Sequence, residues 1–198
     1  VTVFYDKLVA DLEAAKILVS TSTTTNTKFT KRAVSGLLSK IYLYRGEWQK
    51  CVTASNDALG SATEVTSLAN FIKIWQDNSE DGVFFKIKNT KTDNLNSQGV
   101  NYYQTVGGQR KSEYVVEYNL NQLFTIDDIR ASAYIESSAY NGVLYNHIIK
   151  YNGRTNGDPA GVVDYKAIRG AEVLLNRAEA YFKLNNETSA LADLNTLK

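Results

Sequence analysis

Apolar residues recur at spacings of three and four over both ends of this chain, and the middle lacks that rhythm. Phe4, Leu8, Leu12, Ala15 and Val19 share one helical face and predict a helix over 3–19. The run STSTTTNT (20–27) has no apolar residue and reads as a solvated loop. Val34, Leu37, Leu38, Ile41 and Tyr42 form the next stripe, with Thr30 as its N-cap and Gly46 as a left-handed helix end. Trp48, Cys51, Val52, Ser55 and Leu59 line a second helix, and the short connection folds the pair back antiparallel. FIKIW (71–75) is apolar, DNSEDG (77–82) is a turn, and VFFKIK (83–88) is a strand. From Asn89 to Lys111 no apolar period exists, so a long loop is expected. YVVEYNLNQLF (114–124) runs from extended chain into a short helix. Asn141-Gly142 predicts the turn of a β-hairpin, and NGRTNGDPAG (152–161) is another loop. A last helix pair begins near Asp164, with stripes Ala171, Leu174, Leu175, Ala178, Tyr181, Phe182 and then Ala190, Leu191, Leu194, Leu197.

The two helical hairpins match each other. When Tyr42 is set on Tyr181, Gly46 falls on Asn185, the two residue types that best tolerate a left-handed helix end. Cys51 then falls on Ala190, where two helices must approach closely. This order of aromatic, turn, small and apolar residues is that of a tetratricopeptide (TPR) hairpin. Tandem repeats of that kind recur about every 34 residues. These copies lie more than a hundred residues apart, so the expected fold is mostly α. TPR-like hairpins (30–60 and 164–198) frame an irregular insert (61–163) with a few short β-strands, all in a single domain fragment over 1–198.

Composition narrows the partners. With 22 basic and 21 acidic residues the formal charge is +1, which argues against nucleic acid and leaves room for a neutral ligand. The single cysteine rules out a disulfide framework or a Cys-rich metal site within the chain, and Cys51 reads as a small buried hydrophobe. No apolar run of about 18 residues exists to form a spanning helix. A chain with no methionine that opens VTVFYDKLVADL reads as a piece of a longer protein.

An ordered set of segments carries a resemblance. RAVSGLLSKIYLYRGEWQKCVTASNDAL (32–59) is similar to a helical hairpin of the SusD/RagB family of nutrient-binding outer-membrane lipoproteins. Arg169, Ala171-Glu172, Leu174-Leu175 and Ala178-Glu179-Ala180 resemble its C-terminal signature. SEDGVFFKI (79–87), the Asp128-x-Arg130 pair and HIIKYNG (147–153) resemble segments that lie between them; Gly82 and Val83 depart from the family's pattern. The resemblance implies a SusD-like α–α superhelix that captures glycan, or less often peptide, without catalysis. It further implies delivery to a SusC-like TonB-dependent transporter, at the surface of the outer membrane. Contact with the membrane would be made only through a lipid anchor missing from this chain.

Neutral sugars are held by flat aromatic faces with amides and hydroxyls around them. The loop 89–113 offers that mixture in Asn94, Asn96, Gln98, Asn101, Tyr102, Tyr103, Gln104, Gln109 and Arg110. Tyr102 and Tyr103 are the foremost candidates; the alternative is that one of them anchors the loop. Tyr140 and Tyr145 come second, while Trp48 and Trp75 read as packing residues. The alternative function is a TPR-like scaffold for another protein. Enzyme signatures fail in turn. DNSEDG starts like an EF-hand but places Lys88 where a bidentate Glu is needed. His147 is the only histidine, so it cannot begin a zinc site. Adjacent Asp127 and Asp128 diverge too far to flank a glycosidic bond, and Asp128 with Arg130 reads as a structural pair. GGQRKS (107–112) has no phosphate-loop spacing. Glu172 and Glu179 are expected to bond neighbouring helix ends. No cofactor or metal is implied.

Overall fold

The computed structural model describes residues 2–21, 26–60, 65–93 and 101–197. It divides into two compact units: Val1–Thr66 with Asp81–Ile87 and Lys166–Lys198, and Ser67–Glu80 with Lys88–Tyr165. The described part is mostly helical with a few short strands, as the apolar periods predict.

The first unit is built on α1 (Thr2–Leu18), α2 (Lys31–Tyr44), α3 (Trp48–Leu59), α7 (Gly170–Lys183) and α8 (Glu187–Thr196). Thr30 does cap α2: its hydroxyl oxygen accepts from the Ala33 amide at 3.3 Å. Helix α2 lies against α1, α3 and α7, so most of its surface is buried. Ser35, Gly36 and Ser39 let it come close to its neighbours. A methyl on Gly36 would stand 2.9 Å from Ile168 and 3.2 Å from Val173. Asn176 of α7 donates to Ser39 at 3.1 Å, and its carbonyl accepts the Cys51 thiol at 3.5 Å, so one residue stitches three helices. Leu38, Leu59, Leu174 and Phe84 are nearly or fully buried, each contributing about 1.5–3 kcal/mol of transfer free energy.

The expected equivalence of the two hairpins appears at the helix ends. Gly46 and Asn185 both take positive φ, 71° and 59°. After α2, the Glu47 amide reaches the Tyr42 carbonyl and the Gly46 amide the Leu43 carbonyl. After α7, the Asn186 amide reaches Tyr181 and the Asn185 amide Phe182, in the same spacing. Both helices therefore end in the same Schellman arrangement, which satisfies their last carbonyls.

Strand β1 (Val83–Ile87) pairs with β6 (Tyr165–Arg169). This corrects two expectations. The last helix begins at Gly170 and not near Asp164, because Tyr165–Arg169 is claimed by the β1 ladder. Residues 81–87 also fold with the helices rather than with the rest of 61–163. Phe84 brings them there: it is 2% exposed, packs in the core, and lies 3.7 Å under the Arg32 guanidinium.

The second unit holds α4 (Leu68–Trp75), β2 (Gln104–Val106), β3 (Gln109–Lys111), α5 (Tyr118–Asn121), α6 (Ile129–Tyr134), β4 (Ile135–Tyr140) and β5 (Val143–Ile148). The β4–β5 hairpin turns at Asn141-Gly142 as expected, with φ of 50° and 79°. The β2–β3 hairpin is a correction, since loop was expected there. Gly107 and Gly108 both adopt positive φ, the geometry of a two-residue hairpin turn. Arg154 gathers the irregular segments. Its guanidinium reaches Asp77 at 2.9 Å, Asp164 at 2.6 Å and the Asn89 carbonyl at 2.8 Å. Asp77, the first residue of the EF-hand-like run, is thus engaged by an arginine.

Candidate functional site

Backbone alternation sorts the candidate residues onto faces. On the β4–β5 hairpin Glu136 stands opposite His147, Ser138 opposite Tyr145, and Tyr140 opposite Val143, so all six share one face. On β2–β3, Thr105 stands opposite Arg110 while Gln104 stands opposite Lys111. Arg110 and Gln104 therefore point to opposite faces of their hairpin.

Arg110 joins the two hairpins. Its Nη1 lies 2.7 Å from Glu136 Oε2 and its guanidinium stacks 4.0 Å over the Tyr103 ring. One face of the half-buried Tyr103 ring is covered in this way. Gln109 accepts from the Asn141 amide at 2.8 Å, pinning the tip of β4–β5. Gln104 belongs to a second polar group, donating to Glu113 at 3.3 Å beside Lys111, which donates to the same oxygen at 2.8 Å. The Lys111 ammonium hydrogen-bonds Glu113 and holds its carboxyl below the usual range.

Tyr102 is half-buried among rings, with centroids 6.1 Å from Tyr114 and 5.8 Å from Tyr151. It has the environment of a loop anchor. Its carbonyl accepts from Ser112 Oγ at 2.5 Å, and Ser112 also meets His147 Nδ1 at 2.8 Å. His147 is 1% exposed and its Nε2 lies 3.3 Å from the Ser138 carbonyl. Burial pushes its pKa down and the Arg110 cation adds to that, with the Ser138 carbonyl and Glu136 opposing. Asn101 accepts from the Glu113 and Tyr114 amides through its carbonyl. Tyr145 lies 6.2 Å from His147, ring to ring. Asn94, Asn96 and Gln98 lie outside the described residues.

Rings and amides of this kind can hold the faces and hydroxyls of a sugar. Among the described residues no group of three or more His, Cys, Asp or Glu side chains could hold a metal ion. Asp128 is bound to Arg130 at 2.6 Å and caps α6 through the Arg130 amide, which makes it structural as expected. Glu172 pairs with Lys40 of α2 at 2.7 Å rather than with a helix end, because α2 passes alongside α7.

The family model for the SusD family matches residues 49–198, well over half of the chain. The chain belongs to the SusD family. No curated protein matches it. Among solved structures, a SusD superfamily protein from Bacteroides thetaiotaomicron superposes with a TM-score of 0.77 at 22% identity, over 97% of this chain and 45% of that one. A SusD-like carbohydrate-binding protein from Bacteroides vulgatus gives 0.74 at 24% identity, over 98% and 42%. Surface glycan-binding protein A from Bacteroides uniformis gives 0.71 at 19% identity, over 96% and 48%. The chain thus spans less than half the length of these structures, and at such identities the likeness is one of fold.

Of the residues that resembled the SusD signature, Leu174 and Ala180 are fully buried and Ala178 nearly so, while Leu175 and Glu179 are exposed and Arg169 stands at the N-cap position of α7. The buried members mark the helix packing of the fold. Glu136, Tyr114, Tyr151 and Ser112 were not anticipated among the candidate residues. Only the alternation in β4 could have pointed to Glu136, and its partner Arg110 lies in a segment read as loop.

Proposed function

We propose that this chain is part of a cell-surface protein that binds glycan without chemistry and passes it to a partner TonB-dependent transporter. Membership of the SusD family supports this, as do the names of the carbohydrate- and glycan-binding structures whose fold it shares. The observation that carries the reading to residues is Tyr103, a half-buried ring backed by the Arg110 guanidinium beside further tyrosines and amides. Tyr140 and Tyr145 share a face of the neighbouring hairpin, and Asn101 supplies an amide close in sequence, while Gln104 lies on the other face of its hairpin with Glu113. Tyr102 belongs to the support of this surface. The transporter partner and the lipid-anchored position in the outer membrane come with the family reading, and the chain's own residues would act only in capture.

The test is calorimetric titration of the full-length protein with panels of oligosaccharides and peptides, repeated with Tyr103→Ala. Glycan binding weakened about two- to twelvefold by the substitution is expected, in line with ~0.5–1.5 kcal/mol for a lost aromatic contact. Binding of peptides alone would replace glycan with peptide as the ligand. A protein-scaffold role has one observation of its own. Leu175, Phe182, Leu191 and Leu194 line an exposed apolar groove between α7 and α8, and a titration silent for both panels would favour that reading.

A further inference from the structure

The charges on the two hairpins are matched one to one. The described residues of 101–113 and 135–148 carry two full cations, Arg110 and Lys111, and two carboxylates, Glu113 and Glu136. Arg110 is bound by Glu136 at 2.7 Å and Lys111 by Glu113 at 2.8 Å. His147 is buried and its pKa is lowered, so near neutral pH it adds no charge. The other exposed side chains there carry no charge: they are rings, amides, hydroxyls and aliphatic groups such as Val106, Val143 and Leu144.

An anionic sugar, whether a uronic acid, a sialic acid or a sulfated residue, needs a cation free to form a charge-assisted hydrogen bond. Arg110 is the candidate, because it touches the Tyr103 ring that a sugar would share. Its side chain is only 14% exposed, flattened on the tyrosine and tied to Glu136, whose own side chain is 48% exposed. A sugar carboxylate approaching Arg110 would therefore meet the exposed carboxylate of Glu136 before a buried, already ion-paired guanidinium. Like charges brought together at a binding surface are a common means of rejecting the wrong partner.

The geometry points to Glu136 as a specificity-determining residue that restricts this surface to neutral glycans by discharging Arg110 and repelling sugar carboxylates. This rests on the glycan-binding reading above. It goes beyond that reading by naming the class of glycan and the residue that selects it.

The experiment titrates the full-length protein with neutral probes (maltohexaose, cellohexaose, xylohexaose) and anionic ones (hexagalacturonate, sialyllactose). Wild type, Glu136→Gln and Glu136→Asp are compared. Gln keeps the shape and one acceptor oxygen but removes the charge; Asp keeps the charge. Wild type is expected to prefer a neutral probe. Glu136→Gln is expected to raise the anionic-to-neutral affinity ratio at least tenfold, with the gain falling as salt is added. Glu136→Asp is expected to restore the wild-type ratio. A merely structural role for Glu136 would lower both affinities and leave their ratio in place. An unchanged ratio in Glu136→Gln overturns the inference while glycan binding stands. So does a wild type that takes hexagalacturonate or sialyllactose as tightly as any neutral probe. Failure of all five sugars to bind any of the three proteins removes the glycan reading and this inference together.

Discussion

Asp193→Ala tests what holds the C-terminal hairpin to the rest of the helices. Asp193 of α8 receives two hydrogen bonds from Arg177 of α7, at 2.8 and 2.7 Å. The guanidinium donates a third to Asn56 of α3 at 2.8 Å, so one arginine joins three helices. The two side chains are 12% and 8% exposed, too little for water to replace a missing partner. Truncating Asp193 leaves a nearly buried cation uncompensated, which costs about 3–5 kcal/mol. For a chain of this length that is a fall in Tm of about 6–20 °C. Removing the charge as well, in Asp193→Ala with Arg177→Met, is expected to return much of the loss, since an apolar pair avoids the orphaned charge. Thermal unfolding followed by far-UV circular dichroism gives all the values needed for the cycle. A single variant that loses less than 1 kcal/mol would refute the argument. So would a double variant whose loss equals the sum of its parts, because either means that the pair is effectively solvated or uncoupled.

Gly82→Ala is expected to cost about 2–5 kcal/mol in urea unfolding. Its φ is +66° and a methyl would lie 2.5 Å from the Thr66 backbone nitrogen, adding a left-handed penalty to overpacking against backbone that cannot swing away; a loss below 1 kcal/mol would show that Thr66 yields. His147 makes stability fall in acid. Its folded pKa is depressed by burial below the ordinary 6.5, so the unfolded chain takes up the proton first and stability present above pH 6.5 is lost as pH falls through the folded value. Comparing urea midpoints from pH 7.5 to 5 in wild type and His147→Gln checks this, and equal slopes would place the acid sensitivity elsewhere.

The helical part of the fold was legible because burial on one face writes itself as a period. Leu38, Ile41 and Tyr42 are buried where their spacing put them, and Cys51 is wholly buried. Burial raises its thiol pKa to about 11, as suits a packing residue. Gly46 and Asn185 were legible for a different reason: few residues accept a positive φ, so their recurrence four residues after an aromatic was informative. Phe4 departs from this rule: it fits the α1 stripe, yet it is 67% exposed in the first turn of the helix.

The candidate site was less legible because its strands are too short to show a period. A three-residue strand such as Gln104–Val106 offers a single alternation, and Gly107-Gly108 reads equally as loop or as turn. The amino-acid types in 101–110 suggested sugar chemistry, but types alone did not separate support from contact. Pairing does so. It puts Gln104 with Lys111 and Arg110 with Tyr103, and it turns Tyr102 toward Tyr151. A net charge of +1 over the whole chain would allow a strongly charged ligand surface balanced by opposite charge elsewhere. The hairpins do not use that freedom, since each cation finds its carboxylate within 3 Å on the same or the adjoining hairpin. Charge neutrality is thus local here, and a local match can select a neutral ligand where a global one cannot.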